Sequence, residues 1–310
     1  TFRHPEITPV NSLGGIHILE LFHGPTFAFK DVALQFLGNL FECFLEKRHH
    51  PLRIIGATSG DTGSAAIHGL RGKKGVDVFM LHPKGRVSPM QEMQMTTVLD
   101  QNIHNLAIEG TFDDAQAIVK ALFNDQEFKK KYYLGSVNSI NWARILAQIV
   151  YYFYAWFQVA KDDSELVSFV VPTGNFGNVL AGYYAKRMGL PIDKLVIGTN
   201  ENDILHRFFS KGEYHRTELI ETYSPSMDIQ ISSNFERYLF DLAGNSAETL
   251  QRWMDDFERR GKLTLEGDLL KQAQSDFASA RVSDEEIVMT IHDFHLETGY
   301  LLDPHTAVGV

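Results

Sequence analysis

Residues Ile54 to Ala66 read IIGATSGDTGSAA. A β-branched run ends at Ala57, a Ser-Gly-Asp-Thr-Gly turn follows, and small apolar residues continue at helical spacing. This is the strand, turn and helix of an α/β unit, whose turn lies where such proteins bind ligands. The same grammar recurs at Val170 to Gly182, VVPTGNFGNVLAG. Outward from these two stretches, short apolar runs at Ile16–Leu21, Arg53–Ala57, Val76–Leu81, Ile103–Ile108, Ser168–Val171 and Lys194–Thr199 read as strands. Between them apolar residues recur at helical spacing, as at Val32, Phe36, Leu37, Leu40, Phe41 and Phe44. The alternation predicts parallel sheets covered by helices. From about Asn202 strand signals fade, and helices are predicted over Asn234–Leu242, Ala247–Arg260, Gly267–Ala278 and Ser283–Thr298, a helical insertion at about 202–300.

Composition narrows the functional classes. The chain has 310 residues, 44% hydrophobic and 22% charged, with a formal net charge of −10. Polyanion binding needs a basic surface, so a nucleic-acid partner is not expected, and Lys129, Lys130 and Lys131 read as a solvated helix end. The lone cysteine, Cys43, excludes a disulfide framework and fits a reducing compartment, and its apolar helical setting predicts a core position. No run of about 18 apolar residues occurs, so no membrane span is expected. Ile145–Ala160, interrupted by Gln148 and Gln158, reads as a buried helix, and its aromatic residues from Tyr151 to Phe157 read as packing. His292 and His295 stand three apart without a carboxylate completing a zinc motif, so no metal is expected. The chain starts at Thr1 without methionine and stops at Val310 in an opening helix, and is expected to be a fragment of a longer protein.

Four stretches carry chemistry. In ELFHGPTFAFKD, Glu20 to Asp31, a lysine stands at the first turn of a predicted helix. A helix N-terminus disfavours an ammonium, so Lys30, between Phe29 and Asp31 and near Phe27, reads as an amine nucleophile of lowered pKa; taken alone it also reads as a solvated lysine. In the Thr58–Gly63 turn, Ser59, Thr62 and the backbone amides can hold a carboxylate or phosphate, or Ser59 or Asp61 can simply cap the helix. In the third stretch Gly174 and Gly177 would let successive amides point at one anion. Neither a P-loop ending nor a Gly-x-Gly-x-x-Gly fingerprint is present, which leaves a loop for a single phosphate. In SVNSINWARILAQ, Ser136 to Gln148, the residues Asn138, Ser139, Asn141 and Arg144 crowd a helix start. Ser139 reads as its N-cap, and Arg144 as either a bidentate anion ligand or a surface arginine.

Together these stretches resemble the threonine synthase family, in the form found in fungi. The resemblance also rests on PKGRVSPMQEMQMTTV, GYYAKRMGLPI, TNENDI and LDPHTAVGV, in the family's order. It implies a fold type II pyridoxal-phosphate enzyme, two parallel-sheet α/β lobes with the cofactor between them. Residues 1–50 and 160–310 would form the larger, cofactor-binding lobe and 51–159 the smaller one. By the same resemblance Lys30 carries pyridoxal 5'-phosphate as a Schiff base, and Gly174, Asn175, Phe176, Gly177 and Asn178 wrap its phosphate. Thr58, Ser59, Gly60, Asp61 and Thr62 close over the substrate carboxylate and cofactor ring. Asn138, Ser139 and Arg144 meet the substrate phosphate. The family's segments before Phe2 and after Val310, the latter bearing the hydroxyl that faces the pyridine nitrogen, are not among these residues.

The implied reaction converts O-phospho-L-homoserine and water to L-threonine and phosphate. A related phospho-lyase giving 2-oxobutyrate and ammonia is the alternative enzyme, and a non-catalytic module of the same fold the alternative without turnover. A dinucleotide oxidoreductase is disfavoured by the missing fingerprint. The expected setting is cytoplasmic, as a monomer or weak homo-oligomer acting on a small molecule.

Overall fold

A computed structural model describes residues 2–48 and 50–310; Thr1 and His49 lie outside the described residues. The chain divides into two compact units, residues 1–11 with 18–147, and residues 12–17 with 148–310.

A short hairpin, β1 (Val10–Leu13) and β2 (Ile16–Leu19), precedes the lysine-bearing helix α1 (Lys30–Arg48). The first unit continues with β3 (Leu52–Ala57), α2 (Asp61–Leu70), β4 (Val76–Pro83), α3 (Pro89–Thr96), β5 (Ile103–Ile108), α4 (Phe112–Asn124), α5 (Gln126–Tyr132) and β6 (Leu134–Gly135). Its strands form a parallel sheet in the order β5-β4-β3-β6, with Ile54 opposite Val78 and Val78 opposite Ile103. Leu34 and Leu37 of α1, Ile67 and Leu70 of α2, and Ile54, Val78 and Met80 of the sheet share one buried cluster. Burial of such side chains stabilises by about 1.5–3 kcal/mol each. Lys129, Lys130 and Lys131 stand exposed on α5, as expected.

Helices α1 and α2 meet backbone to backbone. A Cβ on Gly38 would lie 2.1 Å from the Gly69 carbonyl oxygen, and one on Gly69 would lie 2.6 Å from that of Leu34. This contact line decides which face of α1 is inside. After Asp31 in its first turn the buried positions are Ala33, Leu34, Leu37 and Gly38, while Phe36, Cys43 and Phe44 are exposed. Cys43 is therefore not in the core, because small residues, not the aromatic ones, let α2 approach. Gly69→Ala should force the helices apart and lower stability by about 1–3 kcal/mol, read as a lower urea midpoint. An unchanged midpoint would mean that the helices are free to separate.

This close packing also draws α1 into the first unit, so the compact units divide the chain elsewhere than at 50 and 160. Helix α6 (Trp142–Val159) carries the chain across the division, and its residues Tyr151, Tyr152 and Trp156 are buried whereas Phe157 is exposed.

The second unit contains β7 (Val167–Pro172), α7 (Gly177–Arg187), β8 (Ile192–Thr199), α8 (Ile204–Lys211), β9 (Glu213–His215), α9 (Phe235–Leu242), α10 (Ala247–Arg260), β10 (Lys262–Thr264), α11 (Gly267–Asp276), β11 (Ala278–Arg281), α12 (Asp284–Thr298) and α13 (Pro304–Ala307). Strands β11-β8-β7 form a parallel sheet, and β9 pairs with β10 antiparallel. The stretch expected to be a helical insertion also holds three strands, and Ala278 begins one of them instead of ending a helix. Strand β11 is Ala-Ser-Ala-Arg, too polar and too short to stand out by pattern; its pairing with β8 makes it a strand. Helix α12 opens with a capping box between Ser283 and Glu286, which accounts for its start within one residue of expectation. Among the described residues no helix is long and apolar enough to cross a membrane.

Candidate active site

In the first unit the chain between β2 and α1 is a turn pinned from inside. Asp31 is fully buried and accepts hydrogen bonds from the Thr26 amide at 2.9 Å and the Thr26 hydroxyl at 2.7 Å. Gly24 is bare because a Cβ there would lie 2.3 Å from Asp31 Oδ2. The Gln94 side-chain amide donates to the Thr26 carbonyl at 3.3 Å. With the turn so held, Lys30 enters α1 with its side chain only 14% exposed and its Nζ donating to Asp61 Oδ2 at 3.1 Å. Its pKa is lowered chiefly by burial and further by the Arg144 guanidinium, while the Asp61 carboxylate pulls the other way. The lowered basicity expected from the sequence is present, but loss of hydration leads its causes; the Phe29 ring is 5.4 Å from Nζ.

The Thr58–Gly63 loop turns on the Thr58 hydroxyl. Its oxygen accepts the amides of Gly60 at 3.0 Å and Gly63 at 2.9 Å. Thr58 therefore satisfies the start of α2, and neither Ser59 nor Asp61 caps it: the N-cap position is Gly60, with no side-chain cap. Gly60 has φ 148°, a conformation that favours glycine. Ser59 is exposed and Thr62 half-buried. Among the described residues nothing accepts their backbone amides at the helix start. Asp61 is committed to its neighbours: Oδ2 accepts from Lys30 and Oδ1 from the side-chain amide of Gln91.

Arg144 is buried at 3% exposure, which rules out a surface arginine. Its Nη1 donates to the Val137 carbonyl at 2.9 Å, and its charge acts on Lys30. The cap of α6 is Asn141, whose Oδ1 accepts the Ala143 amide at 3.0 Å, and not Ser139. Asn138 is exposed and Ser139 half-buried.

In the second unit the 174–178 loop joins β7 to α7. The expected freedom of Gly174 and Gly177 is not what bends it, since the left-handed residue is Phe176, with φ 60° and ψ 0°. Its ring is buried against Phe235, Phe277, Tyr238 and Phe209, with centroids 5.3, 5.4, 5.9 and 6.1 Å away. Burial of the ring holds a backbone conformation that costs about 1–2 kcal/mol outside glycine. Gly174 is bare for a different reason: a Cβ would lie 3.1 Å from Met227 Cα. The Gly174 carbonyl accepts the Ser232 hydroxyl at 2.7 Å, and the Asn175 carbonyl accepts the Asn234 amide at 3.1 Å. Tyr152 donates to the Asn178 carbonyl at 2.9 Å or its side-chain oxygen at 2.8 Å. A left-handed residue followed by a helical one turns successive amides to one side. Among the described residues nothing accepts the amides of Phe176, Gly177 and Asn178.

Against known proteins, residues 6–267 match the family described as pyridoxal-phosphate dependent enzyme. The whole chain is 56% identical to threonine synthase of Schizosaccharomyces pombe and 54% identical to that of Saccharomyces cerevisiae, and it spans 66% of the length of each. The structure matches pyridoxal-phosphate-bound threonine synthase of Brucella melitensis with TM-score 0.96 and 49% identity, covering all of this chain and 67% of that one. The cofactor is pyridoxal 5'-phosphate, and each unit by itself holds residues that suit such a group: in the first a buried amine of lowered basicity suits an aldehyde, and in the second the amides without acceptors at the start of α7 suit a phosphate. The chain belongs to the pyridoxal-phosphate dependent enzyme family, in its fold type II form, and groups there with the threonine synthases.

Proposed function

We propose that the whole protein converts O-phospho-L-homoserine and water to L-threonine and phosphate, with Lys30 as the lysine that takes the cofactor aldehyde. The observation that carries this reading is the Lys30 amine, withdrawn from water and lowered in basicity, next to the loop of Thr58–Gly63. Pyridoxal phosphate, when bound, supplies the electron sink for breaking bonds at Cα and Cβ. Lys30 Nζ takes the Cα proton and gives it up before taking one from Cβ; phosphate then leaves Cγ, the proton from Cβ is returned to Cγ, water adds its hydroxyl at Cβ, and Cα is reprotonated as threonine forms. An amine whose basicity is lowered by burial is better suited to this shuttling than one in water. The backbone amides of Ser59 and Thr62, with their hydroxyls and the Gly60 backbone, bind the substrate carboxylate. Arg144 attracts the substrate phosphate, with Asn138 and Ser139 as polar neighbours. Gly174, Asn175, Phe176, Gly177 and Asn178 bind the cofactor phosphate through backbone amides, so the Phe176 side chain serves the loop and not the ligand. Exposed, unpaired Cys43 fits a reducing, cytoplasmic setting, and we read the protein as a monomer or weak homo-oligomer.

The test is to incubate the chain with pyridoxal phosphate, reduce with borohydride and map the modified peptide. Modification at Lys30 is the expected result, and modification elsewhere refutes the assignment. Product analysis of the full-length protein with O-phospho-L-homoserine then separates the activities. L-threonine is expected; 2-oxobutyrate with ammonia would establish the lyase instead.

A further inference from the structure

We infer that Gln91 is a positioning residue for Lys30: its side-chain amide fixes the Asp61 carboxylate, and that carboxylate holds the lysine amine in place. The inference rests on Lys30 being the cofactor lysine, and it adds a residue from a helix to which no role has been given.

Helix α3 is short, and its first turn is rigid. Pro89 stands at its start and the Ser88 hydroxyl accepts the Gln91 amide at 3.3 Å. The side chain of Gln91 then occupies the space a Cβ on Gly60 would need. A Cβ on Gly60 would fall 1.8 Å from Gln91 Oε1 and 2.5 Å from its Cδ, so the bare residue in the loop is the seat of this glutamine. From that seat Nε2 donates to Asp61 Oδ1, leaving Oδ2 for Lys30 Nζ at 3.1 Å. The two oxygens of one carboxylate are thus divided between an amide that cannot ionise and an amine that must change its protonation state. With Oδ1 tied, rotation of the carboxylate is blocked and Oδ2 stays on the lysine. Without the tie, a carboxylate that is 28% exposed can turn to water. One helical turn along, Gln94 donates to the Thr26 carbonyl, so α3 grips the turn before Lys30 and the loop beside it together. The charges facing Lys30 are Asp61 of α2, Arg144 of α6 and Asp31 of α1; Asp61 is the one whose orientation Gln91 controls.

The experiment is competitive acetylation of the full chain with acetic anhydride across a pH series. The Lys30 peptide is read by mass spectrometry in the wild type, Gln91→Met, Asp61→Asn and the double variant. An opposite charge at this distance raises an amine's pKa by on the order of one unit. The Lys30 midpoint should therefore fall by roughly one pH unit in Asp61→Asn, and by about half a unit in Gln91→Met. In the double variant it should fall no further than in Asp61→Asn alone, because Gln91 acts only through Asp61. Lys84, paired with Glu109 on the surface, is the internal control and should not move. Gln91→Leu repeats the measurement with a different apolar shape, so that a packing defect peculiar to one variant is recognised. A wild-type Lys30 midpoint in both Gln91 variants overturns the inference, as does a shift that adds in full to that of Asp61→Asn. Acetylation needs no cofactor. Capture of pyridoxal phosphate by another lysine in the same chain would refute the functional assignment while leaving the role of Gln91 decided by the midpoints.

Discussion

Lys30→Ala protein should show none of the visible absorbance that pyridoxal phosphate acquires on the wild-type chain, and in the full-length enzyme turnover should fall by at least about 10³-fold, within what a lost general base accounts for. The variant removes the amine that donates to Asp61 Oδ2. Gln91 still holds Asp61 Oδ1, but Oδ2 loses the lysine, so some loss of stability is expected from the missing ion pair. Lys30→Arg separates the two effects. The guanidinium keeps the positive charge beside Asp61 but stays protonated and is no nucleophile at working pH. Its unfolding midpoint should lie nearer the wild type than that of Lys30→Ala, with no recovery of absorbance. Borohydride reduction followed by peptide mapping reads the outcome directly. Retained absorbance and turnover in Lys30→Ala would end the assignment.

Phe176→Ala should be the most damaging single change to the fold of the second unit, lowering stability by about 3–5 kcal/mol. The ring is 1% exposed and touches aromatic residues from α8, α9 and the end of α11. Truncation opens a cavity among rings that cannot close on it, and it leaves an alanine in the left-handed region without the packing that held phenylalanine there. At about 2–4 °C per kcal/mol for a unit of this size, the melting temperature should fall by on the order of 10 °C. The loop should relax at the same time, turning amides 176–178 away from a common direction and weakening pyridoxal-phosphate binding by at least about tenfold. Phe176→Gly isolates the backbone from the ring. Glycine adopts φ 60° without strain, so this variant should bind cofactor better than Phe176→Ala while remaining destabilised. If Phe176→Ala melted within a degree or two of the wild type, the aromatic cluster would not be what shapes the loop.

Those two residues were legible in the sequence to different depths. Lys30 could be singled out from its place after Gly24-Pro25 at a helix start, and its lowered basicity followed from general electrostatics. Phe176 lies inside a recognisable strand-turn-helix stretch, yet the glycines on either side drew the conformational argument that belongs to it. Nothing local marks a phenylalanine as left-handed, because the stabilising partners Phe209, Phe235, Tyr238 and Phe277 stand far along the chain. Gln91 and Tyr152 carry no local mark for the same reason. Glutamines on a polar helix and tyrosines in an aromatic run have no distinguishing pattern until the partner is known. The caps stand at Asn141 and Gly60, one or two residues beyond Ser139 and Ser59, since several side chains in each stretch can accept a backbone amide and only the folded loop selects among them.

By itself the order of residues determined the alternation of strands and helices, the two glycine-bearing turns that open helices, and the lysine at the head of α1. Each of these depends on periodicity and backbone preference over a few consecutive positions. Tertiary structure decided which face of α1 is buried, that Asp61 is engaged by Lys30 and Gln91, that Arg144 is inside, and that Ala278–Arg281 is a strand. Such facts depend on side chains tens of residues apart arriving at one place. A Gly38–Gly69 backbone contact or the seat of Gln91 on Gly60 exists only once the sheet order has set neighbouring helices at a given distance.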